Sequence, residues 1–468
     1  MANASPVFDV VVVLPGIMGS TLAKNGNLVW AASAGSVLSA IRTFGRSIQD
    51  LALPSGIGDD HPDDGVTPVE IMPDLHVLPG LWTPVKGYSP LIERLTRIGC
   101  RPVSDEQGAP PGNLLLVPYD WRLSNRYNGA RLKRLVEPVL ERWRSQGGPY
   151  ADAKVTFVCH SMGGLVARSY ISQGGAETTR KLVTLGTPYR GAADALDQLS
   201  NGIRKGIGPF SIDLTAFAQS LPSCYQLLPS YACVEDGADL KTLSEISDIP
   251  NLDTARVIDA ASFHRDLETA EDGDGVFQDR THILTGSSQP TLTTATVTGG
   301  GVTLNTSYSG DELGGDGTVP AVAGPRGLSL DSPLFHHIAD LHGNLQRNPA
   351  ILDEVEAILR ARPIVPKGLP EGEPAVEIPD LVLHGESIVV QGNIPGRQAV
   401  AVIVTDEAGT THSVGRPRLA EDNTFRHSVD VPGPGAYTVT VSPVLRMGGL
   451  ATITGTTLVW PATGVDAR

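Results

Sequence analysis

The sequence predicts an α/β protein, a mostly parallel sheet covered by helices, followed by a smaller all-β immunoglobulin-like sandwich. Three observations carry this. Short β-branched runs at 10–14, 155–159 and 182–185 are apolar at successive positions, as strands buried on both faces are. Between the first two, Leu132, Leu135, Val136, Val139, Leu140 and Trp143 recur at helical spacing. After Arg362 the composition changes: Pro363, Pro366, Pro370 and Pro374 arrive with glycine and acids, and short alternating runs follow.

Taken in order, the run at 10–14 is a first strand feeding the turn Pro15-Gly16-Ile17-Met18-Gly19. The helical pattern around Leu132 covers the sheet, with Pro138 expected to kink that helix or mark its true start. Two segments break the alternation, 29–87 and 194–310, and insertions of that size in a compact domain read as a lid and a cap. The cap ends in Thr-rich runs at 291–298 and 302–308, split by Gly299, Gly300 and Gly301, a hairpin signal. Its apolar stretch 221–228 reads either as lining for an acyl chain or as a buried core helix. The expected organisation is therefore an enzyme domain over 1–362, a stiff linker over 363–374 and the sandwich over 375–468. Runs at 387–390, 399–405, 425–431, 437–441 and 452–460 supply the strands of the sandwich. They recur at the roughly 8–12-residue spacing of such folds.

Composition narrows the function. With 41% hydrophobic and 19% charged residues the chain is globular, neither disordered nor fibrous. The 36 basic against 51 acidic residues give a net charge of −15, which repels polyanions, so no nucleic-acid partner is expected. No apolar run approaches the about 20 residues that span a bilayer, and MANASPVFD lacks a basic, then apolar, leader. A cytoplasmic location is the expectation. Cys100, Cys159, Cys224 and Cys233 lack paired zinc spacing. Cys224 and Cys233 could pair in an oxidising compartment, but free buried thiols are the reading, and neither a metal nor a cofactor is expected.

The chemistry centres on Cys159-His160-Ser161-Met162-Gly163-Gly164, directly after a strand run and before Leu165-Val166-Ala167-Arg168. This is a nucleophile elbow: a serine on a strained strand-to-helix turn needs small neighbours, and its hydroxyl projects at the positive end of a helix. Gly163 supplies one small neighbour, while Cys159 stands where a second glycine is usual. A hydroxyl needs a base, and the base an orienting acid, in the order serine, acid, histidine. Gly314-Gly315-Asp316-Gly317 offers Asp316 as the acid, with Asp311 as a nearby competitor. His342 lies just before a helix capped by Asn348 and Pro349 and is the preferred base. His336 and His337 read as strand-end or helix-face residues, and His160 as packing. An oxyanion hole requires two N–H donors, assigned to Met162 after the nucleophile and Ile17 in the glycine turn after the first strand.

These motifs together resemble the lecithin:cholesterol acyltransferase family, which includes phospholipid:diacylglycerol acyltransferases and lysosomal phospholipase A2. The likeness runs from about Asp9 to Arg360 through LPGIMGSTL, LLLVPYDWRLSN, CHSMGGLVAR, TLGTPYRGA, LPSCYQLLPS, GGDGTVP and HGNL. It implies an α/β-hydrolase fold with a cap, a triad at Ser161, Asp316 and His342, and oxyanion donors at Ile17 and Met162. Asp120 and Arg122 are implied as structural partners near the site. The implied activity is serine-dependent acyl transfer or hydrolysis on lipid esters through an acyl-enzyme, with contact to a membrane surface. Two readings stay open beside it: a small-ester carboxylesterase, and a non-catalytic protein that binds lipid or a partner. The sandwich lies outside the resemblance and is expected to be a structural appendage or a docking module for a protein partner.

Overall fold

Strand β1 (Val10–Leu14) is buried at every residue and divides its side chains between two cores. Val10, Val12 and Leu14 face one cluster, while Val11 and Val13 face another. This alternation requires cover on both faces of the sheet. The computed structural model describes residues 6–30, 49–72, 76–78, 81–85, 87–104, 106–205, 212–273, 277, 280–361, 372–444 and 450–461. Much of the expected lid, and all but the last three residues of the expected linker, therefore lie outside the described residues.

Five further strands pair with β1 in one six-stranded sheet: β2 (Leu114–Leu116), β3 (Val155–His160), β4 (Thr179–Leu185), β5 (Thr281–Gly286) and β6 (Phe335–Ile338). Their order is β6-β5-β4-β3-β1-β2, every pair parallel. This is the α/β-hydrolase fold. Helices α1 (Ser89–Arg97) and α6 (Pro349–Leu359) cover one face through Leu91, Leu95, Ile351 and Val355. Helices α2 (Asn125–Arg144) and α3 (Gly163–Tyr170) cover the other through Leu132, Val136, Leu165 and Val166.

Helix α2 decides against Pro138 as its start. It starts well before Pro138, capped by the Ser124 side chain accepting the Tyr127 N–H at 3.0 Å, and Pro138 sits in its interior. The proline is exposed, so the carbonyl it leaves without a helical donor can be hydrated. The hairpin of the cap forms as Thr294–Thr298 against Gly301–Asn305, antiparallel. The stretch 221–228 is wholly buried and belongs to the main core, and Cys224 within it is a thiol and not half of a disulfide. Ser20–Lys24, just before the first insertion, pairs with Asn27–Trp30 at its start and with Val66–Ile71 inside it. Asp64 of that insertion accepts from the fully buried Arg122 at 2.8 Å, and Asp120 grips the same guanidinium at 2.9 and 2.7 Å. The Asp120–Arg122 pair thus ties the first insertion to the strand-end loop beneath it.

Beyond residue 372 the chain forms two sheets. One contains β7 (Ala375–Glu377), β9 (Ile388–Asn393) and β12 (Thr424–Val429). The other runs β8 (Leu381–Leu383), β14 (Ile453–Trp460), β13 (Gly435–Pro443), β10 (Val400–Asp406) and β11 (Thr411–Gly415). Val390, Val402, Val404, Val439 and Ile453 fill the space between them, the period-2 pattern of a sandwich. Ala339 and Leu341, from the loop after β6, pack into this same core.

Candidate active site

Ser161 occupies the turn between β3 and α3 with φ of 51°, the left-handed conformation an elbow imposes on its nucleophile. The turn is held from β4: the Ser161 N–H donates to Leu185 O at 2.9 Å, and Thr187 Oγ1 donates to Ser161 O at 2.9 Å. Cys159, at the position where glycine is usual, points into the core with no exposure. Burial pushes its thiol well above the usual range, so it stays protonated and does not compete as a nucleophile.

The loop after β1 closes on the elbow. A Cβ on Gly16 would lie 2.9 Å from Ser161 Cβ, so only glycine lets the two turns touch. Gly186, with φ of 59°, does the same for the other arm: its Cβ would meet Asp316 Oδ2 at 2.9 Å and His342 Nδ1 at 3.0 Å.

Between these turns lies a continuous hydrogen-bonded chain. Ser161 Oγ is 2.9 Å from His342 Nε2, and His342 Nδ1 is 2.7 Å from Asp316 Oδ2. The other carboxylate oxygen of Asp316 accepts from Thr318 N at 3.0 Å and Val319 N at 2.7 Å. The His342 N–H donates to Asp316 O at 2.8 Å, which locks the two loops together. All three residues are buried, at 6%, 4% and 0% exposure for serine, histidine and aspartate. With Nδ1–H donated to Asp316, Nε2 is left to accept the serine proton.

The structure brings together the five residues singled out by sequence. Met162 starts α3 beside Ser161, and Ile17 follows Gly16 in the apposed turn. Among the described residues no acceptor takes the N–H of either. Asp311 lies apart, exposed in a turn with Tyr308. His336 pairs with Glu354 at 2.7 Å, and His337 Nε2 contacts Leu330 O at 2.9 Å, both on β6 and away from the triad.

One expectation is corrected and one residue was missed. His160 is not mere packing. Its Nδ1 accepts from the hydroxyl of Tyr88 at 2.8 Å, and its Nε2–H donates to His342 O at 3.2 Å. Tyr88 in turn accepts the Gly16 N–H at 2.8 Å. A polar relay therefore runs from the glycine turn through Tyr88 and His160 to the backbone of the candidate base. Tyr88 is fully buried, and burial raises its phenol so that it remains a donor. A lone tyrosine 72 positions from its partner carries no sequence signal for this.

Comparison with known proteins bears on the same region. Residues 86–268 match the family described as lecithin:cholesterol acyltransferase. That segment holds Tyr88, Asp120, Ser161 and Met162 and stops short of Asp316 and His342. The chain is 30% identical over 132 residues to the lysosomal phospholipase A and acyltransferase of Homo sapiens, covering 27% of this chain and 29% of that protein. The Rattus norvegicus protein of that name is 30% identical over 129 residues, covering 26% and 28%. The match thus spans less than a third of either relative. Among solved structures, a chain of the Tle4–Tli4 complex aligns at a TM-score of 0.47 and 17% identity, covering 75% of this chain and 96% of that one.

Proposed function

We propose that this chain, a member of the lecithin:cholesterol acyltransferase family by its residues 86–268, is a serine-dependent acyl-ester enzyme acting on lipid esters. The observation that carries the reading is the buried chain Ser161 Oγ–His342–Asp316, at 2.9 and 2.7 Å, on an elbow that touches the Gly16 turn.

In this reading His342 Nε2 takes the Ser161 proton as Oγ bonds to the ester carbonyl carbon, and Asp316 stabilises the resulting imidazolium. The carbonyl oxygen becomes an oxyanion held by the Ile17 and Met162 N–H groups, which have no competing acceptor among the described residues. Collapse breaks the bond to the leaving alcohol, which takes the proton from His342, and an acyl-serine remains. Water or an acceptor alcohol then gives its proton to His342 and attacks the acyl carbon; the bond from that carbon to Oγ breaks, and His342 returns the proton to Ser161. Burial of the triad favours both steps by excluding competing solvent dipoles.

The test is mass spectrometry of lipid products from labelled phospholipid, with and without an acceptor alcohol, for the protein and its Ser161→Ala variant. A new acyl ester lost in the variant identifies transfer, and free fatty acid alone identifies hydrolysis. Absence of any Ser161-dependent product overturns the lipid reading.

A further inference from the structure

The acid and the base of the triad sit on two loops, after β5 and after β6, and each loop carries one buried polar side chain that reaches out of the enzyme domain. On the acid side this is Gln289, wholly buried. Its backbone pairs with Gly315, the residue before Asp316, through two bonds of 3.0 Å. Its side-chain amide donates to Pro374 O at 3.0 Å and accepts from Val376 N at 3.0 Å, both at the start of β7.

On the base side it is Asp340, also wholly buried. One carboxylate oxygen accepts from Leu341 N at 2.9 Å and from Thr454 N of β14 at 3.4 Å. The other accepts from Asn344 at 2.5 Å and from Asn348, the cap of α6, at 2.8 Å. Between Asp340 and His342, Leu341 is wedged against both bodies. A Cβ on Gly317, next to the acid, would lie 2.9 Å from its side chain, and one on Gly455 of β14 would lie 3.0 Å from it. Asp316 itself lines a cavity of about 90 Å³ together with Asp380 and Thr456.

We propose that the C-terminal sandwich is the scaffold that holds the triad's acid and base in register, with Gln289 and Asp340 as its two positioning residues. A loop left to itself samples several conformations, whereas two buried amide and carboxylate anchors and a wedged leucine fix both loops to one rigid sheet pair. The sandwich is then part of the catalytic architecture and not an appendage. The inference rests on the triad reading above.

Steady-state kinetics on Gln289→Ala and Asp340→Ala test it, with Leu140→Ala on the buried face of α2 as reference. Each anchor variant should lose about tenfold or more in kcat with KM within about twofold, because misaligned loops weaken the transition state and not substrate capture. Leu140→Ala should lower the melting temperature and leave kcat unchanged below it. If an anchor variant does not fold, Gln289→Glu, which keeps the acceptor for Val376 N, should give an intermediate loss. Anchor variants with the parent kcat overturn the inference. Loss of Ser161-dependent turnover in the parent protein would instead overturn the triad reading, so the two failures are distinct.

Discussion

The hydroxyl of Tyr88 lies 2.8 Å from Nδ1 of His160, joining a residue on the approach to α1 to the one beside the candidate nucleophile. Through it the Gly16 turn and the carbonyl of His342 share one hydrogen-bonded relay. Tyr88→Phe removes both bonds at the hydroxyl and leaves Gly16 N–H and His160 Nδ1 buried without their partner. The expected cost is about 1–3 kcal/mol of stability. The Ile17 donor should also drift, lowering kcat by about 10- to 100-fold. Urea denaturation and ester turnover check the two effects; a fall in stability alone would make the relay structural only.

The triad should behave as one unit. Ser161→Ala and His342→Ala should each remove about 10⁴-fold or more of kcat, and the double variant should cost no more than the worse single one. Initial rates on a chromogenic ester provide the cycle. Additive losses would mean that the 2.9 Å contact between Ser161 and His342 does not carry the proton.

Arg122 offers a prediction about the first insertion. Its guanidinium is fully buried between Asp120 and Asp64, and hydrogen bonds from Arg122 hold the Asp64 carboxyl low. Arg122→Met leaves Asp120 buried without its cation, at an expected cost of about 3–5 kcal/mol. The Asp64 contact is lost as well, so limited proteolysis should cut faster within 49–72. Unchanged cleavage there would show that the segment is held without the ion pair.

The central sheet was legible because strands buried on both faces have to be uniformly apolar, and 10–14 and 155–159 could be little else. The elbow, acid and base were legible because each sits in a turn whose glycines and helix start are local. Long-range contacts were not. Tyr88 finds His160 across 72 positions, and Thr454 finds Asp340 across 114, with no periodicity or turn chemistry to announce either. Whether Pro138 starts α2 or sits inside it was open for a related reason: its cost there depends on whether the freed carbonyl faces water, which only the packing of the helix decides.

Buried histidines set the response to acid. His264 in α5 (Thr254–Asp272) is 1% exposed and donates to Gln226 O at 2.9 Å; burial, with the Arg168 charge close by, lowers it to about 3. An unfolded chain has histidine near about 6.5, so below that pH the unfolded state takes up a proton that the folded state refuses. Stability from this residue is therefore intact above about pH 6.5 and is lost as pH falls from there toward 3. At pH 5 the loss amounts to about 2 kcal/mol. His282, lowered to about 4 by burial in β5, acts in the same direction. Asp340, raised to about 6 by burial, acts in the opposite one, since its folded form binds the proton more tightly than the unfolded chain does. The His264 contribution is isolated by comparing the parent with His264→Gln, whose amide keeps a donor for Gln226 O. The difference in urea unfolding free energy between the two should shift by about 2 kcal/mol in favour of the variant on going from about pH 7.5 to about pH 5. A pH-independent difference would mean that His264 takes up its proton in the folded state as readily as in the unfolded one.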